Sequence, residues 1–195
     1  MSGIPATKPV RLFLAVDPNP EIIAQFEQTI AQLRLVAPHA RWVRAEKLHV
    51  TLVFLGDVEQ AQIATIRDIM HSVVALHDPF QLRFAHGGSF GETKHPRVLW
   101  AGIGGDMMAL RALQKTLADK LEPLGFKPEH REYAPHLTLA RSADPRGDES
   151  LVDCRNKLAE RTFGETLIRE VVLYESVQGT SGSTYAALVR APLRT

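Results

Sequence analysis

Two strand-length apolar runs, 87 residues apart, each carry a histidine and a threonine at alternating positions. The first run, "LHVTLVFLG", contains His49 and Thr51, and the second, "HLTLA", contains His136 and Thr138. Because successive side chains of a β-strand point to opposite faces, each histidine shares a face with its threonine, and the apolar residues take the other face. The chain must therefore fold so that two buried strands each keep one polar face.

The periodicity of the remaining segments predicts strands and helices in alternation, which is typical of an α/β or α+β fold with a mixed sheet. Each half of the chain contains a strand, a helix, a His-x-Thr strand and a second helix, so we expect two pseudo-equivalent lobes that face each other. One domain is expected over residues 1–195, with an ordered core at about 10–190. The predicted helices are Glu21–Val36, Glu59–Leu76, Met107–Leu124 and about Glu149–Glu160.

The composition excludes several classes of protein. The formal net charge is +1, so any contact with nucleic acid must come from a local basic patch. A lone cysteine, Cys154, rules out an internal disulfide and a cysteine-cluster metal site, and we interpret it as either a packed or a bystander thiol. No stretch approaches the roughly 20 apolar residues that span a bilayer, so we expect a soluble, cytoplasmic protein without membrane contact. A monomer is expected, because no stripe of exposed apolar residues stands out.

Two imidazoles and two hydroxyls around one small volume suit the chemistry of a phosphate ester. A neutral histidine can activate water while a protonated one gives a proton to the leaving oxygen. Threonine hydroxyls can donate to the non-bridging phosphate oxygens. This chemistry needs no metal and no cofactor. Either motif alone would be interpreted as a satisfied core histidine, and only the pair indicates a site.

The paired motifs "HVTL" and "HLTL" resemble those of the two-histidine phosphoesterase superfamily. Further segments, including "RLFLAV", "PRVLWAGI" and "YESVQGTSGSTYAAL", are similar to its LigT-like branch, the RNA 2′,3′-cyclic phosphodiesterases also called 2′-5′ RNA ligases. The resemblance implies a bilobal α+β fold, in which two antiparallel sheets line a central cleft and helices lie outside. It also implies metal-free hydrolysis of RNA 2′,3′-cyclic phosphate ends to 2′-phosphomonoesters, with reversible 2′-5′ ligation as the back reaction.

Under this resemblance His49 is the proton donor, His136 the proton acceptor, and Thr51 and Thr138 bind the phosphate. The pseudo-symmetric site leaves the two histidine roles open to exchange, and the reverse reaction swaps them. The further candidates for substrate binding are Arg141, Arg131, Tyr133 and Phe54.

Each of these further candidates has a structural alternative. In a regular strand Arg141 has the opposite parity to His136 and faces away from it, unless the strand twists or ends at Ala140. Phe54 shares the apolar face of its strand, so it either packs in the core or stacks on a base. Tyr133 and Trp100 are platforms for a base or packed aromatics. The six histidines outside the two motifs are expected at the surface.

Two other functions fit the same residues. One is a hydrolase of another small cyclic phosphate, and the other is a non-catalytic module that binds RNA or nucleotides. The binding module does not explain why the chain has two groups that titrate near neutrality. Turnover of a cyclic phosphate in the presence of EDTA distinguishes an enzyme from a binding module.

Overall fold

The protein is described by a computed structural model that covers residues 8–126, 132–179 and 182–194. The helices are α1 (Pro20–Arg34), α2 (Gln60–Val74), α3 (Met107–Leu121) and α4 (Ser150–Leu158), with 3-10 turns at Ala45–Lys47 and Glu122–Leu124. The strands are β1 (Val10–Val16), β2 (Arg41–Trp42), β3 (Val50–Val58), β4 (Phe80–Gly91), β5 (Pro96–Gly105), β6 (Leu137–Arg141), β7 (Thr162–Ile168), β8 (Glu170–Gly179) and β9 (Gly182–Pro192). Within the described residues single strands alternate with helices, except that β4 and β5, and then β7, β8 and β9, follow each other directly.

The strands form a continuous path in the order β7-β4-β5-β6-β3-β1-β8-β9, and β2 pairs with β6. Each of the described pairs is antiparallel. We call β3, β1, β8 and β9 the first lobe, and β6, β5, β4 and β7 the second lobe. The lobes meet where Val50 pairs with Leu137. The α+β class with antiparallel lobes is confirmed, whereas the mixed sheet suggested by the alternation of elements is wrong.

The helices tie the two lobes together because α1 leaves the first lobe and packs on the second. Phe26 of α1 stacks on Phe163 with ring centroids 4.1 Å apart and meets Phe84 edge-on at 6.1 Å. Helix α3 leaves the second lobe and packs against α2 and β3 of the first. One cluster of buried apolar residues consequently runs through both lobes. That one domain spans all of residues 1–195 remains a prediction.

The core lies on one face of the sheet, and β1 shows how the two faces are separated. Leu12, Leu14 and Val16 point into the hydrophobic cluster, while the alternating Phe13 and Ala15 lie on the opposite face. We call this opposite face the cleft face. In the described residues no helix is both long enough and apolar enough to cross a bilayer.

The predicted helices are all present, with ends that differ by a few residues from the predicted ones. The glycines that follow Phe84 predict a strand leading into a loop or bulge, and β4 has a bulge at His86, whose φ is 60° and where the pairing with β5 shifts register. Two strand boundaries differ from the sequence pattern. Gly56 suggests the end of a strand, but it takes a positive φ beside a bulge and β3 continues to Val58. The pattern of Thr166–Ser176 predicts one strand, but the segment is divided between β7 and β8.

Candidate active site

The two His-x-Thr motifs meet at the junction of the lobes. Val50 pairs with Leu137 in an antiparallel register. In such a pair the residue before one partner lies opposite the residue after the other, so His49 lies across from Thr138 and His136 across from Thr51. Both histidines stand immediately before their strands begin. The fold thus brings the four predicted side chains together in a crossed arrangement.

Both imidazoles are fixed by the same local hydrogen bond. Nδ1 of His49 lies 2.8 Å from the carbonyl oxygen of Lys47, and Nδ1 of His136 lies 2.8 Å from that of Ala134. A carbonyl oxygen can only accept, so in each ring Nδ1 carries the hydrogen and donates it. Proton exchange with a substrate would therefore take place at Nε2 of each ring.

His49 is enclosed by aromatic rings of the first lobe. Its ring centroid lies 4.7 Å from that of Phe13, 5.2 Å from that of Tyr185 and 6.2 Å from that of Tyr174. Burial lowers the pKa of His49 below its usual value, and the charge of His136 lowers it further. The hydrogen bond to the Lys47 carbonyl opposes this shift. The enclosed position therefore favours the neutral form of His49 in the free protein.

His136 has a more open aromatic neighbour on the second lobe. The ring of Phe90 meets the ring of His136 edge-on with centroids 4.9 Å apart. Phe90 also contacts Trp100, at 5.4 Å between centroids. Trp100 pairs with Thr138 across β5 and β6, so these side chains share the cleft face. The two histidines thus make the same hydrogen bond to the backbone but have different aromatic neighbours.

Arg141 lies on the cleft face, contrary to the parity expected for a regular strand. The β5–β6 register passes from Leu99–Ala140 to Trp100–Thr138, so Leu139 is an extra, bulged residue. Leu139 and Ala140 are consequently both buried, and Arg141 returns to the side of Thr138. Its positive charge partly offsets the burial that raises the pKa of Tyr185. Arg141 therefore faces the first lobe across the site.

Phe54 is also placed differently from the sequence expectation of an apolar-face residue. Register shifts between β1 and β3 make Leu52 and Leu55 extra residues, so Phe54 pairs with Phe13 on the cleft face. The side chain of Phe54 is 44% exposed, and the guanidinium of Arg11 lies 4.8 Å from its ring centroid. Core packing of Phe54 is therefore wrong, and an exposed cation–π pair is found instead.

Tyr133 links the segment before the second motif to the strand that carries the first motif. Its hydroxyl donates to the carbonyl oxygen of Thr51 at 2.9 Å, and its own carbonyl accepts from Nη1 of Arg111 at 2.9 Å. Burial raises the pKa of Tyr133. The side chain is partly buried against the core, so the packed alternative applies to most of its surface. Arg131, the candidate two residues earlier, lies outside the described residues.

A cavity of about 640 Å³ opens beside His49, between α1 and strands β8 and β9. Asp17 lines it and accepts a hydrogen bond from the Tyr174 hydroxyl at 2.7 Å, while its other oxygen is buried without a described partner. Burial raises the pKa of Asp17, although the Tyr174 hydroxyl and the charge of Arg190 oppose the shift. This volume is within the range of small-molecule sites.

Metal-ligating side chains do not cluster in the described parts of the chain. Within them no three histidine, cysteine, aspartate or glutamate side chains are grouped so that they could hold an ion.

Cys154 is buried in the core, and its Sγ lies 3.7 Å from the carbonyl oxygen of Leu33. The thiol thus belongs to the core packing, which is the packed alternative of the two that the sequence leaves open.

The sequence interpretation did not single out the aromatic residues around the two histidines. These are Phe13, Phe90, Tyr174 and Tyr185. One signal was available, because Phe13 stands at the alternating position of the quoted segment "RLFLAV". The other three depend on which strands become neighbours, and local alternation alone does not show this.

Known proteins resemble this chain in sequence and in fold. Residues 18–180 match the family model of the 2′-5′ RNA ligase superfamily. The RNA 2′,3′-cyclic phosphodiesterase of Methanothermobacter thermautotrophicus is 30% identical over 176 residues, which are 90% of this chain and 95% of that relative.

Solved structures give the same result for the fold. A protein of Thermus thermophilus superposes with a TM-score of 0.81 at 25% identity, over 94% of this chain and 98% of the other. E. coli LigT complexed with 3′-AMP superposes with a TM-score of 0.74 at 25% identity, over 96% of this chain and all of the other.

Proposed function

The chain belongs to the 2′-5′ RNA ligase superfamily, and from this membership we propose that it hydrolyses 2′,3′-cyclic phosphate ends of RNA to 2′-phosphomonoesters without a metal. The observation that supports this function most directly is the crossed arrangement of two histidines and two threonines around the Val50–Leu137 pair. Two groups that titrate near neutrality supply both the acid and the base that a phosphoester displacement needs.

The proposed step forms one bond to phosphorus and breaks another. His136 takes a proton from water as the water oxygen attacks the phosphorus atom. The bond between phosphorus and the 3′-oxygen breaks, and His49 gives its proton to that oxygen. The phosphate remains on the 2′-oxygen. Each histidine ends in the protonation state of the other, so the pair returns to its starting state by exchanging protons with solvent.

Thr51 and Thr138 are proposed to hold the non-bridging phosphate oxygens. Each hydroxyl lies across from a histidine of the other lobe, so each lobe would contact the phosphate through one histidine and one threonine. Donors aimed at developing negative charge are typically worth about 10²–10³ in rate. Arg141, which the bulge at Leu139 turns to the cleft face, is a proposed third contact to the anion.

The assignment of His49 as acid requires that bound substrate change its protonation. Burial holds the pKa of His49 low in the free protein, and a phosphate anion beside the ring would raise it. Ligation is proposed to use the same site, with a 5′-hydroxyl attacking the cyclic phosphate in place of water. His136 then takes the proton of the 5′-hydroxyl, the bond between phosphorus and the 3′-oxygen breaks, and His49 again gives its proton to that oxygen. The two histidine roles are exchanged when the 2′-5′ bond is cleaved again, because the 3′-hydroxyl then attacks and the 5′-oxygen leaves.

The reaction is tested by incubating purified protein with a short RNA of defined sequence that ends in a 2′,3′-cyclic phosphate. We expect conversion to the 2′-phosphate in the presence of EDTA, identified by comparison with 2′- and 3′-phosphate standards. A 3′-phosphate product, or loss of turnover in EDTA, would contradict the proposal. Parallel assays with cyclic mononucleotides show whether RNA or a smaller cyclic phosphate is the better substrate.

A further inference from the structure

An exposed phenyl ring lies beside one of the two histidines. Phe90, near the end of β4, is 39% exposed. Its edge meets the ring of His136 at 4.9 Å between centroids. Exposed apolar residues are common singly, so the position of Phe90 against a motif histidine, and not its exposure alone, is the observation that suggests a contact with a ligand.

The ring of Phe90 packs against a neighbouring indole on a hairpin that α4 also contacts. Trp100 packs beside it at 5.4 Å between centroids, and Gly88 allows the indole to lie flat on β4. A Cβ atom at Gly88 would come within 2.1 Å of the indole, so this position requires glycine. From α4, Nη1 of Arg155 donates to the hydroxyl of Ser89 at 3.3 Å and to the carbonyl of Thr93 at 3.3 Å. The hairpin that carries Phe90 is thus braced on both sides.

The first lobe differs at the equivalent place. There, the rings of Phe13, Tyr174 and Tyr185 surround His49, and Tyr185 meets His49 edge-on. The described residues around His136 include Phe90 as its ring partner, and that ring keeps a solvent-facing side. Among the described residues, the exposed ring that contacts a motif histidine is Phe90 on the His136 side, whereas the exposed Phe54 of the first lobe has the guanidinium of Arg11 over its ring.

We propose that Phe90, backed by Trp100, is the stacking platform for the nucleobase of the nucleotide that carries the cyclic phosphate. This inference rests on the proposed function, because a phosphate held between the histidines fixes where the base lies. One ribose ring separates a base from its 2′,3′-cyclic phosphate, so the base must lie beside one of the two histidines. Every base has a π face, so a stacking platform accepts RNA ends of any sequence.

The inference is tested by comparing a substrate that has a base with one that lacks it. The pair is adenosine 2′,3′-cyclic phosphate and methyl riboside 2′,3′-cyclic phosphate. For Phe90→Leu we expect KM for the adenosine compound to rise roughly 5- to 100-fold, while both constants for the riboside stay unchanged. Phe90→Trp keeps a π face and should keep the wild-type KM. Leu167→Ala, which truncates a side chain of similar exposure (40%) on β7, is the matched control.

Equal changes for the two substrates in Phe90→Leu would overturn the inference, because Phe90 would then act only by positioning His136. An unchanged KM for the adenosine compound would overturn it as well.

Calorimetric binding of 3′-AMP and of ribose 3-phosphate requires no turnover and separates the two proposals. Loss of 3′-AMP affinity in Phe90→Leu without any hydrolysis by the wild type would refute the reaction and retain the platform. Normal hydrolysis with affinities that do not depend on Phe90 would refute the platform and retain the reaction.

Discussion

Val50 pairs with Leu137 at the junction of the lobes, and each follows a histidine and precedes a threonine. The pairing gives the two histidines the same local geometry, down to a hydrogen bond from Nδ1 to the carbonyl two residues earlier. What differs is the packing around them, since aromatic rings enclose His49 and an exposed phenyl ring borders His136. Any division of roles between the histidines must come from this packing.

Replacing either histidine by alanine should remove most of the activity. If one group gives a proton and the other takes one, His49→Ala and His136→Ala should each lower kcat by about 10²–10⁴. The double variant should lose little more than either single one, because the two groups act in one step. Single-turnover rates on a cyclic-phosphate RNA measure both losses.

The matched control for these variants is His39→Ala, which changes an exposed histidine in a loop. It should retain wild-type kcat. Full activity in both His49→Ala and His136→Ala would exclude the proposed acid–base pair.

The pH dependence should differ between the free enzyme and the complex. Burial and the charge of His136 lower the pKa of His49 in the free enzyme. As pH rises, free His49 therefore loses its acidic proton at a lower pH than an ordinary histidine, whose pKa is about 6.5. A bound phosphate anion opposes this shift. The alkaline limb of kcat should therefore lie at higher pH than that of kcat/KM. Coincident limbs would argue that His49 is not the acid.

The same shift predicts how acid affects stability. Because the folded pKa of His49 lies below its unfolded value, the unfolded chain binds the proton more readily. Stability is thus lost as pH falls from about 6.5 through the lowered folded pKa. His49→Gln cannot bind this proton, so its unfolding free energy should fall less than that of wild type between pH 7 and pH 5. Urea unfolding at the two pH values measures the difference, and equal losses would contradict it.

The residues at the centre of the site follow from sequence because alternation within one strand sets their face. His49 and Thr51 need only the period of two. The faces of Arg141 and Phe54 cannot be predicted in this way. A bulge at Leu139 precedes Arg141 and a bulge in β3 precedes Phe54, and each bulge shifts the alternation of faces by one residue. A bulge depends on how a strand pairs with a partner far away in sequence, so local parity failed at both positions.

Arg141 provides a test of the bulge and of the proposed anion contact together. Because the bulge turns its side chain to the cleft face, Arg141→Gln should raise KM for the cyclic phosphate and weaken the salt dependence of kcat/KM. Arg67→Gln, which changes an exposed arginine on α2 that pairs with Asp68, should change neither. Unchanged kinetics in Arg141→Gln would place this guanidinium outside the phosphate site.

Tyr133 should contribute to stability more than to substrate binding. Its hydroxyl already donates to the carbonyl oxygen of Thr51, so it ties the chain before His136 to the strand that carries Thr51. Tyr133→Phe removes this partly buried bond and should lower the unfolding free energy by about 1 kcal/mol. KM should stay unchanged, since the hydroxyl is engaged with protein. A rise in KM at unchanged stability, measured by urea unfolding and initial rates, would instead mean that the hydroxyl contacts the substrate.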